Sequence, residues 1–214
     1  MDPKRLDFKP IDLDAHASTC VEFRRDSFLC SFGVDRFFDE AGPDGEHYIE
    51  HLRSRMNTFP DGYVHAWDGD RIVGQMEMQI LDTPRRGYVN LFYLVEEMRG
   101  AGVSGELQAY AMAFMRCHGV QTAQLSVSPT NARALAYYRR HGWKDLGPRP
   151  GRHDVTLMEC AVPATLSRSR HPSPATPTLV RATTRRRIAH HEARPLTSMK
   201  LTPRVVERRS NSGG

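Results

Sequence analysis

The sequence predicts a mixed α/β domain followed by a basic tail, and three observations carry that prediction. Two β-rich runs flank Asp68-Gly69-Asp70, a turn signal that announces an antiparallel hairpin in the first half of the chain. Strand and helix patterns then alternate from residue 88 to residue 162, which requires at least one parallel pair within a mixed sheet. Near Pro163 the composition changes to Ser, Thr, Pro and Arg with no sustained period. Such a segment buries too little surface to offset the entropy of ordering. The expected division is therefore a domain over 6–163 and a disordered, basic, Pro/Ser/Thr/Arg-rich tail over 164–214.

The elements follow in order. Residues 6–10 read as a short edge strand. Residues 12–28 carry Leu13, Ala17, Cys20, Val21 and Phe28 at a rough helical period. Residues 32–42 read as a loop. A second helix over 44–58 sets Tyr48, Leu52 and Met56 on one face, and Pro60-Asp61-Gly62 ends it. Strands over 63–67 and 71–80 form the hairpin, and a third strand covers 88–95 after a turn at 83–87. Gly100–Gly105 then opens a helix over 106–118, with Leu107, Tyr110, Ala111 and Phe114 facing one way. A strand over 122–127, a helix over 131–141 stopped by Gly142, and strands over 144–146 and 154–162 complete the domain.

Charge separates the two regions. The 214-residue chain has a formal net charge of +5. Residues 164–214 hold eleven Lys/Arg against Glu192 and Glu207, a balance of +9, so the domain itself is −4. No aromatic residue follows Trp143, so the tail lacks the stacking platforms used for single-stranded nucleic acid. A solvated tail is the preferred reading over nucleic-acid contact. Nothing is apolar enough to span a bilayer, and MDPKRLDFKP has no apolar signal core. Cys20, Cys30, Cys117 and Cys160 form no Cys-x-x-Cys and read as reduced thiols, so a cytoplasmic location is expected.

The glycine turn carries the first chemistry. Gly100-Ala101-Gly102-Val103-Ser104-Gly105 literally spells Gly-x-Gly-x-x-Gly after a strand and before a helix. A dinucleotide site wants an acidic residue about 20 positions on, and no Asp or Glu stands between Glu106 and Asp145. No Gly-Lys-Ser/Thr follows, which excludes a Walker loop. A turn that binds nothing stays open on the glycines alone. With Arg99 included, Arg99-Gly100-Ala101-Gly102-Val103-Ser104 resembles the pyrophosphate motif of the GNAT acyltransferases, Gln/Arg-x-x-Gly-x-Gly/Ala. Ser104 departs from it, standing where Gly or Ala is usual. The physics is that of a helix N-terminus, where converging N–H groups and the helix dipole favour a phosphate.

A second motif follows about thirty residues later. Asn131-Ala132-Arg133-Ala134-Leu135-Ala136-Tyr137-Tyr138-Arg139-Arg140-His141-Gly142-Trp143 resembles the other GNAT signature, with Asn131, Ala134, Tyr138, Gly142 and Trp143 in register. The resemblance covers about residues 6–162. It implies a GNAT fold: a central mixed, mostly antiparallel sheet with a splayed parallel strand pair, flanked by about four helices. It implies acetyl-CoA as acyl donor and no metal. The donor would be held by Leu94 and Val95 main chain, by Arg99, Gly100, Ala101, Gly102, Val103, Ser104 and Gly105, and by Asn131. Tyr138 would protonate the leaving sulfur as general acid, and Glu77, on the adjacent strand, is the candidate base, with Glu96 or Glu97 as alternatives.

The resemblance therefore implies an N-acetyltransferase acting on a primary amine of a small molecule or peptide. The alternative is a non-catalytic GNAT-fold module that binds acyl-CoA or associates with nucleic acid through its tail. Phe32, Phe37 and Phe38 with Asp35, Asp39 and Glu40 read equally as an acidic, apolar-walled acceptor entrance or as core with solvated acids. His47-Tyr48-Ile49-Glu50-His51 spells the inverted zincin pattern but lacks a third ligand, and it reads as an exposed helix face. The acceptor's identity and the oligomeric state, a homodimer included, stay open.

Overall fold

The computed structural model of the chain describes residues 5–164, except residues 36, 83 and 84 and the side chains of residues 38 and 40. All described residues belong to the first of the two units into which the chain divides, Met1–Arg168. The predicted tail lies outside them from residue 165 onward.

The element order is β1 (Asp7–Pro10), α1 (Leu13–Phe32), α2 (Phe37–Ala41), α3 (Glu46–Met56), β2 (Tyr63–Asp68), β3 (Arg71–Asp82), β4 (Arg85–Leu94), α4 (Ser104–Cys117), β5 (Thr122–Val127), α5 (Ala132–Arg140), β6 (Lys144–Arg149) and β7 (Arg152–Ala161). The strands form one sheet in the order β1-β2-β3-β4-β5-β7-β6. Every neighbouring pair is antiparallel except β4 and β5. The mixed, mostly antiparallel sheet expected from the sequence is the one observed.

Local sequence accounts for the ends. Asp12 caps α1, accepting from the Asp14 and Ala15 amides, and Gly33 closes it with φ 72° and its N–H on the Leu29 carbonyl. With that stop at residue 33, α1 runs four residues beyond the expected 28. Asp68 pairs with Arg71, so the hairpin loop is Gly69-Asp70, where Gly69 takes φ 60°. The expected loop over 32–42 contains a short helix, α2, which turns Phe37 inward.

The two faces of the sheet are built differently. On one, α4 lays Leu107, Ala111, Phe114 and Met115 on Met76, Met78, Val89, Leu125 and Met158. This is a contiguous apolar core, in which each large side chain contributes about 2 kcal/mol on burial. A Cβ at Gly87 would meet Met115 Sδ at 2.0 Å, so the absent side chain lets helix and strand approach. On the other face, α1 and α3 cover the buried polar side chains of His65, Gln75, Glu77 and Gln79. Those side chains lie with Cys20, Tyr48 and Leu52 of the helices, all excluded from solvent.

The parallel pair positions the site. Strands β4 and β5 are in register at Gly87↔Ala123, Tyr88↔Gln124 and Val89↔Leu125, and pair no further. Opposite β3 the register jumps from Glu77↔Leu91 to Met78↔Val89, leaving Asn90 as the extra residue of a bulge. A bulge bends its strand. Here β4 turns away from β5 at that residue, opening a wedge from Asn90 to Leu94.

Candidate active site

The wedge holds a cavity of about 450 Å³. Phe92 and Leu94 of β4, Leu107 of α4, and Ala134, Tyr137 and Tyr138 of α5 line one side. Arg99, Gly100 and Ser104 line the turn into α4, and Ser27, Cys30 and Ser31 of α1 close the other side. Tyr93, Asn131, Arg133 and Arg140 complete it.

Strand geometry decides which main-chain groups face the gap. The Val95 N–H bonds to the Val73 carbonyl on β3. Successive residues of an antiparallel strand point their N–H and C=O to alternate sides. Tyr93 therefore also turns toward β3, whereas Phe92 and Leu94 present their main-chain groups to the open wedge. The Leu94 carbonyl is already taken by Arg99 Nε at 2.7 Å. Of the two residues named from the sequence, Leu94 faces the wedge through its N–H, and Val95 faces β3. Phe92 was not singled out, because only the bulge register reveals which amides are unpaired.

The glycine turn is shaped as its composition suggests. Gly100 and Gly102 take φ 91° and 86°, values that glycine alone adopts freely. No side chain caps α4 at Val103, so the first N–H groups of the helix are left for an external partner. The Arg133 guanidinium stands over Gly100, 3.6 Å from where a Cβ would be. Tyr137 Oη donates to the Ser104 carbonyl at 2.6 Å and so ties α5 to the first turn of α4.

Arg99 lines the cavity while held from behind. Its Nη2 donates to Asp26 Oδ2 at 2.6 Å, and Tyr93 Oη donates to the same oxygen at 2.8 Å. Burial works against the Asp26 charge, yet the hydrogen bonds from Arg99 and Tyr93 hold its carboxyl below the usual range. Asp26 stands 73 residues from Arg99, and no local sequence signal links the two.

Asn131 caps α5, its Oδ1 accepting from the Ala134 N–H at 3.0 Å, and it also lines the cavity. Tyr138 lies nearly out of solvent among Phe92, Tyr137 and Trp143, with centroid separations of 6.1, 5.4 and 5.8 Å. Its hydroxyl makes no hydrogen bond to the described residues, and burial pushes it well above the ordinary phenol range. A phenol so placed keeps its proton at neutral pH.

Glu77 is not brought to the cavity. It is 2% exposed beneath α1 and α3, accepting from Tyr48 Oη at 2.6 Å and from Gln75 Nε2 at 3.0 Å. Glu96 and Glu97 lie on a 3₁₀ turn at the end of β4 and are absent from the lining. Glu97 pairs with Arg71.

The acidic entrance is altered as well. Phe37 is 2% exposed and packs on Phe28 and Tyr48 as core, and the Asp35 charge is paired with Arg25. The side chains of Phe38 and Glu40 lie outside the described residues. His47 is exposed beside Glu46, and His51 is pushed down to about 4 by burial and by Arg55 and Arg24. No group of three metal-ligating side chains occurs among the described residues, and no described helix is long and apolar enough to cross a membrane.

A sheet split at one parallel pair, with a glycine turn and a tyrosine-bearing helix around the split, defines a class of acyl-transfer domains. Residues 24–143 match the acetyltransferase (GNAT) family, and the chain belongs to that family; it is an acetyltransferase. It is 28% identical over 102 residues to N-alpha-acetyltransferase 30 of Schizosaccharomyces pombe, an overlap of 46% of this chain and 68% of the relative. In fold it is similar to the PaiA N-acetyltransferase of Thermoplasma acidophilum in complex with coenzyme A. There the TM-score is 0.61 at 17% identity, over 73% of this chain and 99% of that one. It is also similar to a chain of the NatC complex bound to Gag peptide and CoA, with a TM-score of 0.55 at 16% identity, over 74% and 99%.

Proposed function

We propose that the domain over residues 6–163 transfers an acetyl group from acetyl-CoA to a primary amine of a small molecule or peptide, by direct attack within the wedge between β4 and β5. The observation that carries this reading is the cavity itself. One run of surface joins the uncapped α4 turn, suited to a pyrophosphate, to the free hydroxyl of Tyr138, suited to a leaving sulfur. The T. acidophilum relative is in complex with coenzyme A, and the S. pombe relative is an N-alpha-acetyltransferase by its name.

In this assignment the main chain from Gly100 to Gly105, apart from the Ala101 N–H that bonds to the Met98 carbonyl, and the Arg99 guanidinium hold the pyrophosphate. Main-chain groups of Phe92 and Leu94 and the amide nitrogen of Asn131 line the pantetheine path. The neutral amine attacks the thioester carbon, the carbon–sulfur bond breaks, and the Tyr138 phenol passes its proton to the departing thiolate. The oxyanion is met by an N–H on the open edge of β4. The proton released by the amine is taken up through water by Glu77, not by direct contact, and Glu77 returns it to solvent while Tyr138 regains a proton from solvent as CoA leaves.

The test is CoA release with a panel of amines, using the wild-type chain and Tyr138→Phe. The reading expects turnover of at least one amine and a fall in kcat of about 10² or more in the variant, with acetyl-CoA affinity kept. Unchanged turnover in Tyr138→Phe removes the acid role. Binding of acetyl-CoA with no turnover of any amine favours the non-catalytic alternative.

A further inference from the structure

One charged group at the closed end of the wedge has no part in the assignments above. Tyr88 of β4 and Ser126 of β5 flank the last paired position, Val89↔Leu125. Val89, Leu125 and Val127 belong to the core under α4 and α5. Alternation along each strand therefore turns Tyr88 and Ser126 to the opposite face, where an acceptor would approach. Their hydroxyl oxygens are 2.8 Å apart. Arg149, the last residue of β6, donates through Nη1 to Tyr88 Oη at 3.0 Å and to Ser126 Oγ at 3.4 Å, and lies over the Tyr88 ring at 5.4 Å.

Four other arginines of the domain have counter-charges of their own. Arg25, Arg99, Arg139 and Arg152 each face a carboxylate, Asp35, Asp26, Asp145 and Asp154 in turn. Glu159 accepts from Gln124. Among the described residues no carboxylate lies within ion-pairing distance of Arg149, and its Nε and Nη2 make no hydrogen bond. Two neutral hydroxyls orient the guanidinium without neutralising it. A half-buried arginine whose outer edge is unfilled presents the two parallel N–H donors that fit a carboxylate.

We infer that Arg149 is a specificity determinant of the acceptor site, and that the acceptor amine carries a carboxylate close to the nitrogen. Tyr88 and Ser126 set the height of the guanidinium at the vertex, so that a bound carboxylate leaves the neighbouring amine facing the wedge. The inference deepens the transferase reading and rests on it. Two sources supply this chemistry, the α-carboxylate of a free amino acid and the acidic side chain of a peptide's first residue.

The experiment compares kcat/KM for matched pairs on the full chain: an amino acid against its amide, and a peptide beginning with Glu against one beginning with Gln. The carboxylate member of one pair is expected to win by at least about tenfold, and the pair that shows it identifies the source. Arg149→Gln should bring that ratio toward one, and Arg149→Lys should keep part of it. A merely structural role for Arg149 would lower both members alike. A wild-type ratio near one in both pairs, or a preference that survives Arg149→Gln, overturns the inference. Should no amine turn over, the transferase reading fails separately. Calorimetry on the CoA-loaded protein then decides, with N-acetylglutamine against its α-amide for the first source and N-acetylglutamate α-amide against N-acetylglutamine α-amide for the second. Selective binding of the carboxylate member of either pair, lost in Arg149→Gln, supports the carboxylate site, and equal or absent binding in both pairs overturns it.

Discussion

The two faces of the sheet solve the same burial problem by opposite means. Under α4 and α5 the strands present Met76, Met78, Val89, Leu125 and Met158, an apolar surface with no buried polar side chain of its own. Under α1 and α3 the strands present His65, Gln75, Glu77 and Gln79, all buried; the first three are linked to Tyr48 and Cys20, and Gln79 donates to Asn90. An apolar face gains by excluding water and tolerates repacking. A polar one loses stability for each group left without a partner, as His65 Nδ1 is among the described residues, and its hydrogen bonds fix geometry more narrowly in return. The donor cavity has its walls largely on the apolar side. The groups proposed to meet the acceptor and its proton lie on the polar side.

The largest effect should come from breaking the apolar face. Leu125→Ala, at the centre of β5 and 1% exposed, is expected to lower stability by about 2–5 kcal/mol, read from urea unfolding. A smaller effect is expected from Glu77→Gln, which removes the charge that Tyr48 and Gln75 serve while keeping the shape. It should cost about 1–3 kcal/mol by the same measurement and slow amine turnover at least about tenfold with acetyl-CoA affinity kept. Turnover equal to wild type would sharpen the comparison the other way, making the polar layer purely architectural.

The smallest effect is in pH. His65 is fully buried, and burial pushes its imidazole down to about 4. Above its unfolded value near 6.5 neither state binds the proton, so stability is flat there. Below 6.5 the unfolded chain takes up a proton that the folded one refuses. Stability is therefore lost as pH falls, by about 1 kcal/mol between pH 6.5 and 5.5, until the folded ring titrates near 4. Thermal melts at both pH values would check it, with His65→Asn losing part of the pH dependence and keeping the share of His51, whose imidazole is also pushed down to about 4. A melting point that is independent of pH in the wild type would contradict it.

The same contrast explains what the sequence could convey. Strands β2, β3 and β5 and helices α4 and α5 were legible, because their apolar periodicity has a single cause, one face against a core. The glycine turn was legible as a turn too, since Gly100 and Gly102 take positive φ between a strand and a helix, and Asn131 was legible as part of a local motif at the start of α5. The polar layer was not, because Gln75, Glu77 and Gln79 on alternate positions read as a solvated strand face. Glu77 was singled out as a carboxylate beside the wedge strand, with no sign that Tyr48 and Gln75 would enclose it. Phe37 read equally as entrance or core because α2 is a single five-residue helix, too short to show a period. The contributions of Asp26 and Arg149 arise from contacts 73 and 61 residues apart in the chain, beyond any local reading.

The most direct test of the central claim is calorimetric titration of acetyl-CoA into the full chain, beside a variant carrying Arg99→Glu and Gly102→Asp. Those changes place two negative charges in the turn, and Gly102 at φ 86° tolerates no other side chain without strain. The account predicts saturable one-site binding in the wild type, weakened by at least about 10² in the variant, with both proteins folded. Equal binding in the two, or none in the wild type, would contradict the assignment of the β4–β5 wedge and its glycine turn as the donor site.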